Sequence, residues 1–260
     1  MYVAALTLAV VIALTAGDLG ALWYLTLFTK VEQGVAVTLP NVLALVTAGV
    51  LWAWALWQTL RGPLAGPPPE LDRDARRLRV ALYAATATGL LSLLVPSWPW
   101  WTAVPNAVAI GVVMVLFRPV LGRNLGRAGH TWIAGVLAYG GYGGSATVEV
   151  LDVFGRRVPD GLALAFGLAG LVWTVLVLRA QGQDGRWQRA TVLYGVAFLV
   201  MPFVLMLVGP LLAIVGNVYV DATAATGALI LIWLARSAHE LADPHPQPAP
   251  PSPLLAQPPT

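Results

Sequence analysis

Four carboxylates, Asp18, Glu149, Asp152 and Asp221, interrupt otherwise apolar stretches of this chain, and no basic residue stands at a comparable place in those stretches. A charge near the centre of a hydrocarbon layer costs at least about 2.5 to 3.5 kcal/mol, so such groups face a bundle interior or a water-filled cavity. Acids gathered without a cation either keep some of their protons or hold a proton or cation among them. That chemistry suits proton or cation coupling. It also suits general acid–base catalysis, since raised carboxyl pKa values favour protonation steps. A third reading makes each acid a hydrogen-bonded tie between helices.

Glu149 and Asp152 end the segment YGGYGGSATVEVLD, residues 139–152, which puts four glycines and two acids in an apolar setting. At about 100° per residue, Tyr139, Tyr142, Ser145, Glu149 and Asp152 fall on one helix face. The glycines let another backbone approach closely, with Gly140 and Gly144 in GxxxG spacing, and make a locally irregular helix plausible where it lines a cavity. The expected binding site is Glu149, Asp18, Asp221 and Asn217, with Asn106, Tyr142 and Ser145 nearby. Asp152 is an interfacial charge close to Arg156.

The elements that must position these groups are membrane helices. The chain has 260 residues, 58% of them hydrophobic and 10% charged, with a mean hydropathy of +0.75, against roughly 25% charged residues in soluble domains. Fourteen of its fifteen basic residues are Arg, so the nominal pI of 9.5 carries no implication of nucleic acid as a partner. The absence of Cys excludes disulfides, thiolate metal sites and cysteine nucleophiles. His130 precedes a span, and His239 and His245 are assigned to the tail, so no helix-borne pair is available for haem. Lys30, the only Lys, ends a span rather than occupying its middle, which argues against a Schiff base. No bound cofactor is expected.

Eight spans are expected, at residues 2–28, 40–60, 79–96, 101–121, 131–154, 159–179, 190–208 and 210–236, against the roughly 20 residues needed to cross the hydrocarbon core. The first stays apolar for longer than a signal-peptide core and lacks a basic start, so it reads as a retained helix. Connections on one side and the C-terminal end hold twelve of the basic residues, from Arg61 to Arg236; the other side holds only Lys30, Arg156 and Arg157. This asymmetry places both termini in the cytoplasm of a bacterial cell, with the chain in the inner membrane. With 1.5 Å of rise per residue, Asp18, Glu149 and Asp221 would lie about 15, 8 and 16 Å below the outer surface.

Residues 1–241 form the transmembrane domain, and residues 242–260, DPHPQPAPPSPLLAQPPT after Ala242, are too rich in proline to pack and form a disordered tail. The loop from Arg61 to Arg79 leads from a proline-rich turn into a charged helical entry. At a constant offset, Leu82, Tyr83, Leu94, Pro99, Val104 and Asn106 match Leu193, Tyr194, Leu205, Pro210, Val215 and Asn217. A tandem repeat of units 1–121 and 127–237, or the chance likeness of apolar segments, accounts for these matches. The fold class is thus an all-α polytopic bundle. The leading function is a permease or exporter of a small or lipophilic solute, coupled to a proton or cation. The alternatives are a membrane-embedded enzyme acting on a lipid or isoprenoid, and a non-catalytic membrane subunit or sensor.

Overall fold

In the computed structural model, residues 2–27, 35–61, 71–94, 103–122, 131–214 and 218–242 are described. They are 88% helical, with no strand among them. The helices are α1 (Tyr2–Ala16), α2 (Gly20–Leu27), α3 (Leu39–Leu60), α4 (Arg73–Leu94), α5 (Ala103–Leu121), α6 (Thr131–Ala138), α7 (Gly144–Val153), α8 (Asp160–Gln183), α9 (Arg189–Ile214) and α10 (Val218–Glu240). A π-helical segment, Tyr139–Gly143, joins α6 to α7.

Four of these helices, α3, α5, α8 and α9, are long and apolar enough to cross a membrane. The other expected spans depart from that pattern for local reasons. The first is broken after Ala16. Gly17 adopts a left-handed φ of +70°, the usual way for a helix to end. The Asp18 Oδ1 then accepts the Gly20 N–H at 2.7 Å and so starts α2. The fifth is interrupted by the π turn. α4 opens with RDARRLR, the charged helical entry expected from the sequence, and the Asp72 carboxylate caps it by accepting the Ala75 N–H at 2.7 Å. By contrast α3 starts cleanly, with Thr38 accepting the Asn41 N–H and Pro40 in the first turn.

The last two spans have other bounds than those expected. α9 runs through both Pro202 and Pro210 to Ile214, because a membrane helix can absorb the lost hydrogen bond. α10 therefore begins at Val218, and it continues to Glu240. His239, expected in the tail, instead packs its ring 5.6 Å from that of Tyr83. The tail proper, residues 243–260, lies outside the described residues.

α10 is the central helix. It packs against α3, α4 and α9, and the run Leu231, Ile232, Trp233, Leu234 and Ala235 is buried all round. On one side α1, α2 and α3 form a small cluster that also takes in Ala225. On the other, the largest cluster joins α4, α5, α8 and α10 around Phe117, Trp173 and Trp233. The Phe117 and Trp233 rings stack at 6.0 Å, and the Trp173 indole N–H donates to the Met114 carbonyl at 3.1 Å. Of the α3 tryptophans, Trp52 is buried against α10 while Trp54 and Trp57 are exposed.

Candidate functional site

The interrupted helix α6–π–α7 packs on α5 and α8, and its glycines determine how closely. A Cβ built on Gly141 would run into the Gly170 nitrogen and stand 2.8 Å from the Ala169 carbonyl carbon. One built on Gly144 would run into the Phe166 ring. Gly140 and Gly143 meet nothing within 4 Å. The close pair is thus Gly141 and Gly144, not the Gly140 and Gly144 of the GxxxG reading. The π turn is the reason: its i→i+5 bonding advances less per residue than an α-helix, and this rotates the glycines after it. The same rotation divides the expected polar stripe, leaving Tyr139 59% exposed while Tyr142 lies against α8.

Where this helix meets α5, α8 and α9, it leaves a cavity of about 480 Å³. Asn106 and Ile110 line it from α5, Tyr142 and Ser145 from the interrupted helix, and Gly167, Gly170 and Thr174 from α8. α9 contributes Phe198, Pro202 and Phe203, and α10 contributes Ile230. Pro202 has no N–H, so the Phe198 carbonyl one turn earlier loses its usual helical donor.

The polar groups on this wall are few, and their hydrogen bonding has a direction. The Thr174 hydroxyl donates to the Gly170 carbonyl at 2.8 Å. Its 2.6 Å contact with the Tyr142 hydroxyl therefore has Tyr142 as donor, which leaves lone pairs on the Tyr142 Oη. The Thr88 hydroxyl stands 3.4 Å from the Asn106 Oδ1. Neither the Asn106 Nδ2 nor the Ser145 hydroxyl has a side-chain partner among the described residues. The wall thus offers a donor at Asn106, an acceptor at Tyr142, and a hydroxyl at Ser145 that can do either.

Asn106, Tyr142 and Ser145, all expected from the sequence, are therefore brought together. Glu149 belongs to α7, one helical turn beyond Ser145; its side chain and that of Asp152 lie outside the described residues, as does Asn217 altogether. Asp18 is exposed at the α1–α2 break, where it caps α2. Asp221 is fully buried, but it sits in the first turn of α10, about 5 Å from the helix start rather than deep in a span. An acid there complements the positive end of the helix dipole. Ile230, which reaches the cavity, follows it by nine residues and so lies about 180° round the helix. Ala225, one turn after Asp221, packs among α1, α2 and α3. Asp18 and Asp221 thus belong to the α1–α3 side of the bundle, and the cavity to the α5–α9 side.

Thr174, Gly167, Phe198 and Pro202 were missed in the sequence. Thr174 looks like any threonine bonding back to its own helix. The one available signal was Pro202, which frees a carbonyl within an otherwise apolar segment.

A second cavity, also of about 480 Å³, lies at the Arg-rich end and is lined by Asp72, Gln183, Asp184 and Arg186. Arg186 pairs with Asp184 at 2.7 Å and donates to the Val120 carbonyl at 2.9 Å. The hydrogen bond that Arg186 donates to Asp184 raises the guanidinium pKa above its ordinary value. These contacts tie the α8–α9 turn to the end of α5. Beside them, Glu240 accepts from the Thr191 hydroxyl at 2.6 Å, the Gln188 N–H at 2.9 Å and Arg236 at 3.0 Å. Arg236 also donates to Gln58 at 3.1 Å, so this network links the ends of α3, α9 and α10.

Comparison of the chain with protein-family models, curated proteins and solved structures yields no match.

Proposed function

We propose that this is a multi-pass inner-membrane permease or exporter that takes a small lipophilic solute into the cavity between α5, the interrupted helix, α8 and α9. The observation that carries this reading is the cavity itself: a mostly apolar chamber of about 480 Å³ with a few hydrogen-bonding groups on its wall. That volume falls within the range of pockets that hold drug-sized ligands. Glu149, one turn beyond Ser145, is the coupling group for a proton or cation. Asp18 and Asp221 are left to structural roles at helix starts.

In this reading the chain crosses the membrane eight times with both termini in the cytoplasm, as the Arg-rich connections require. The order of elements supports a four-plus-four repeat, since each half opens with an interrupted helix, α1–α2 or α6–α7, followed by three continuous ones. The α4–α10 contact then corresponds to α9–α5. α4 and α10 pack together, whereas α9 and α5 face each other across the cavity. One half of a paired architecture is thus opened to hold a solute at the interface of the repeats, where transporters place their sites.

The test is solute-driven proton movement in proteoliposomes loaded with a pH-sensitive dye. A panel of small lipophilic solutes is added under a pH gradient to the wild type and to Glu149→Gln. At least one solute should drive proton movement in the wild type, and Glu149→Gln should reduce it at least tenfold. Equal signals from the two folded proteins overturn the coupling.

A further inference from the structure

From the polarity of the cavity wall we infer the class of solute, an inference that rests on the permease reading. The ligand is a neutral aromatic compound of two or three fused or linked rings that carries a carbonyl and a hydroxyl.

Three observations lead there. First, the described lining residues carry no charge, so an anionic ligand would lose its hydration without gaining a counter-ion. Second, the rings of Phe198, Phe203 and Tyr142 bound the chamber, and ring edges and faces favour an aromatic guest. A cavity of about 150 Å³ suffices for benzene, so about 480 Å³ calls for a larger ring system. Third, the two ends of the hydrogen-bonding set differ in kind. The Asn106 Nδ2 can only donate, and so takes a carbonyl or ether oxygen. The Tyr142 hydroxyl has already given its proton to Thr174, and so takes a ligand hydroxyl or N–H. A pure hydrocarbon would leave the Asn106 N–H and the remaining Tyr142 lone pairs unmatched, which is where such sites discriminate most strongly.

Equilibrium dialysis in lipid nanodiscs tests this with three probes: 7-hydroxyflavone, flavone, and 7-hydroxyflavone 7-sulfate. The wild type should bind 7-hydroxyflavone about tenfold more tightly than flavone, the worth of one well-placed hydrogen bond. The sulfate should bind at least about a hundredfold more weakly. Tyr142→Phe should remove the preference for the hydroxyl, and Asn106→Leu should weaken both flavones. Gly167 lines the cavity, and a Cβ there meets nothing within 4 Å, so Gly167→Phe should obstruct the cavity without disturbing the helices and abolish binding of all three.

Equal binding of the three probes, all lost in Gly167→Phe, overturns the ligand class and leaves the cavity as the solute site. Binding untouched by Gly167→Phe overturns the cavity as the site. No measurable binding of 7-hydroxyflavone by the wild type overturns the ligand class.

Discussion

Replacing Gly141 by alanine adds one methyl group where, among the described glycines, a Cβ would come nearest to another helix's backbone. The new Cβ would run into the Gly170 nitrogen and lie 2.6 Å from its Cα and 2.8 Å from the Ala169 carbonyl carbon. All three are backbone atoms of α8, so no rotamer change relieves the clash. The helices must part by at least about 1 Å to restore contact distances of roughly 3.5 Å. Overpacking of this kind costs about 1 to 3 kcal/mol. Parting the helices also stretches the 2.6 Å Tyr142–Thr174 hydrogen bond, worth about 0.5 to 1.5 kcal/mol. The better helix propensity of Ala returns up to about 1 kcal/mol. With that return in full, the net loss is about 0.5 to 3.5 kcal/mol.

Gly143→Ala is the control, because a Cβ there meets nothing within 4 Å; it should be neutral or stabilising by up to about 1 kcal/mol. Detergent-driven unfolding followed by tryptophan fluorescence measures both. Equal stability of Gly141→Ala and Gly143→Ala would refute the claim that the π turn aims Gly141 at α8.

Arg236→Ala strips the buried Glu240 carboxylate of its 3.0 Å guanidinium partner and should destabilise by about 3 to 5 kcal/mol. The double change Arg236→Met, Glu240→Leu should recover most of that in the same unfolding assay. At Gly195 a Cβ would run into the Leu178 Cδ2 and stand 3.0 Å from the Trp233 Nε1, so Gly195→Ala should cost about 1 to 3 kcal/mol. Because the nearest obstacle is a side chain, Leu178→Ala added to Gly195→Ala should cost less than the sum of the two single changes.

The helical class was legible because apolar runs of membrane length separated by arginine-rich connections admit few other architectures. The glycines of residues 139–144 announced an irregular helix, and Asn106, Tyr142 and Ser145 stood out as polar groups in apolar stretches. Their meeting at one cavity was foreseen in kind but not in company. Which helices face each other is a matter of packing, and nothing in the pattern around Asp18 shows that α1 and α2 sit with α3, away from the interrupted helix. The depth of Asp221 depended on where α10 begins, and the apolar continuity from Val208 through Ile214 hides that boundary. His239 reads as tail from the sequence, although Leu234, Ala235, Ala238, Leu241 and Ala242, all buried, continue the apolar spacing of a helix past Arg236. Thr174 gave no signal, because its role depends on Tyr142 lying against it.

The central claim is that a solute moves through the chamber between α5, the interrupted helix, α8 and α9. The most direct measurement compares solute-driven proton movement in proteoliposomes of the wild type, Gly167→Phe and Gly161→Phe. Both glycines have open space where a Cβ would stand, but only Gly167 lines the chamber. Loss of the signal in Gly167→Phe, with Gly161→Phe and the stability of both variants unchanged, is the result expected; a full signal from folded Gly167→Phe would contradict the account.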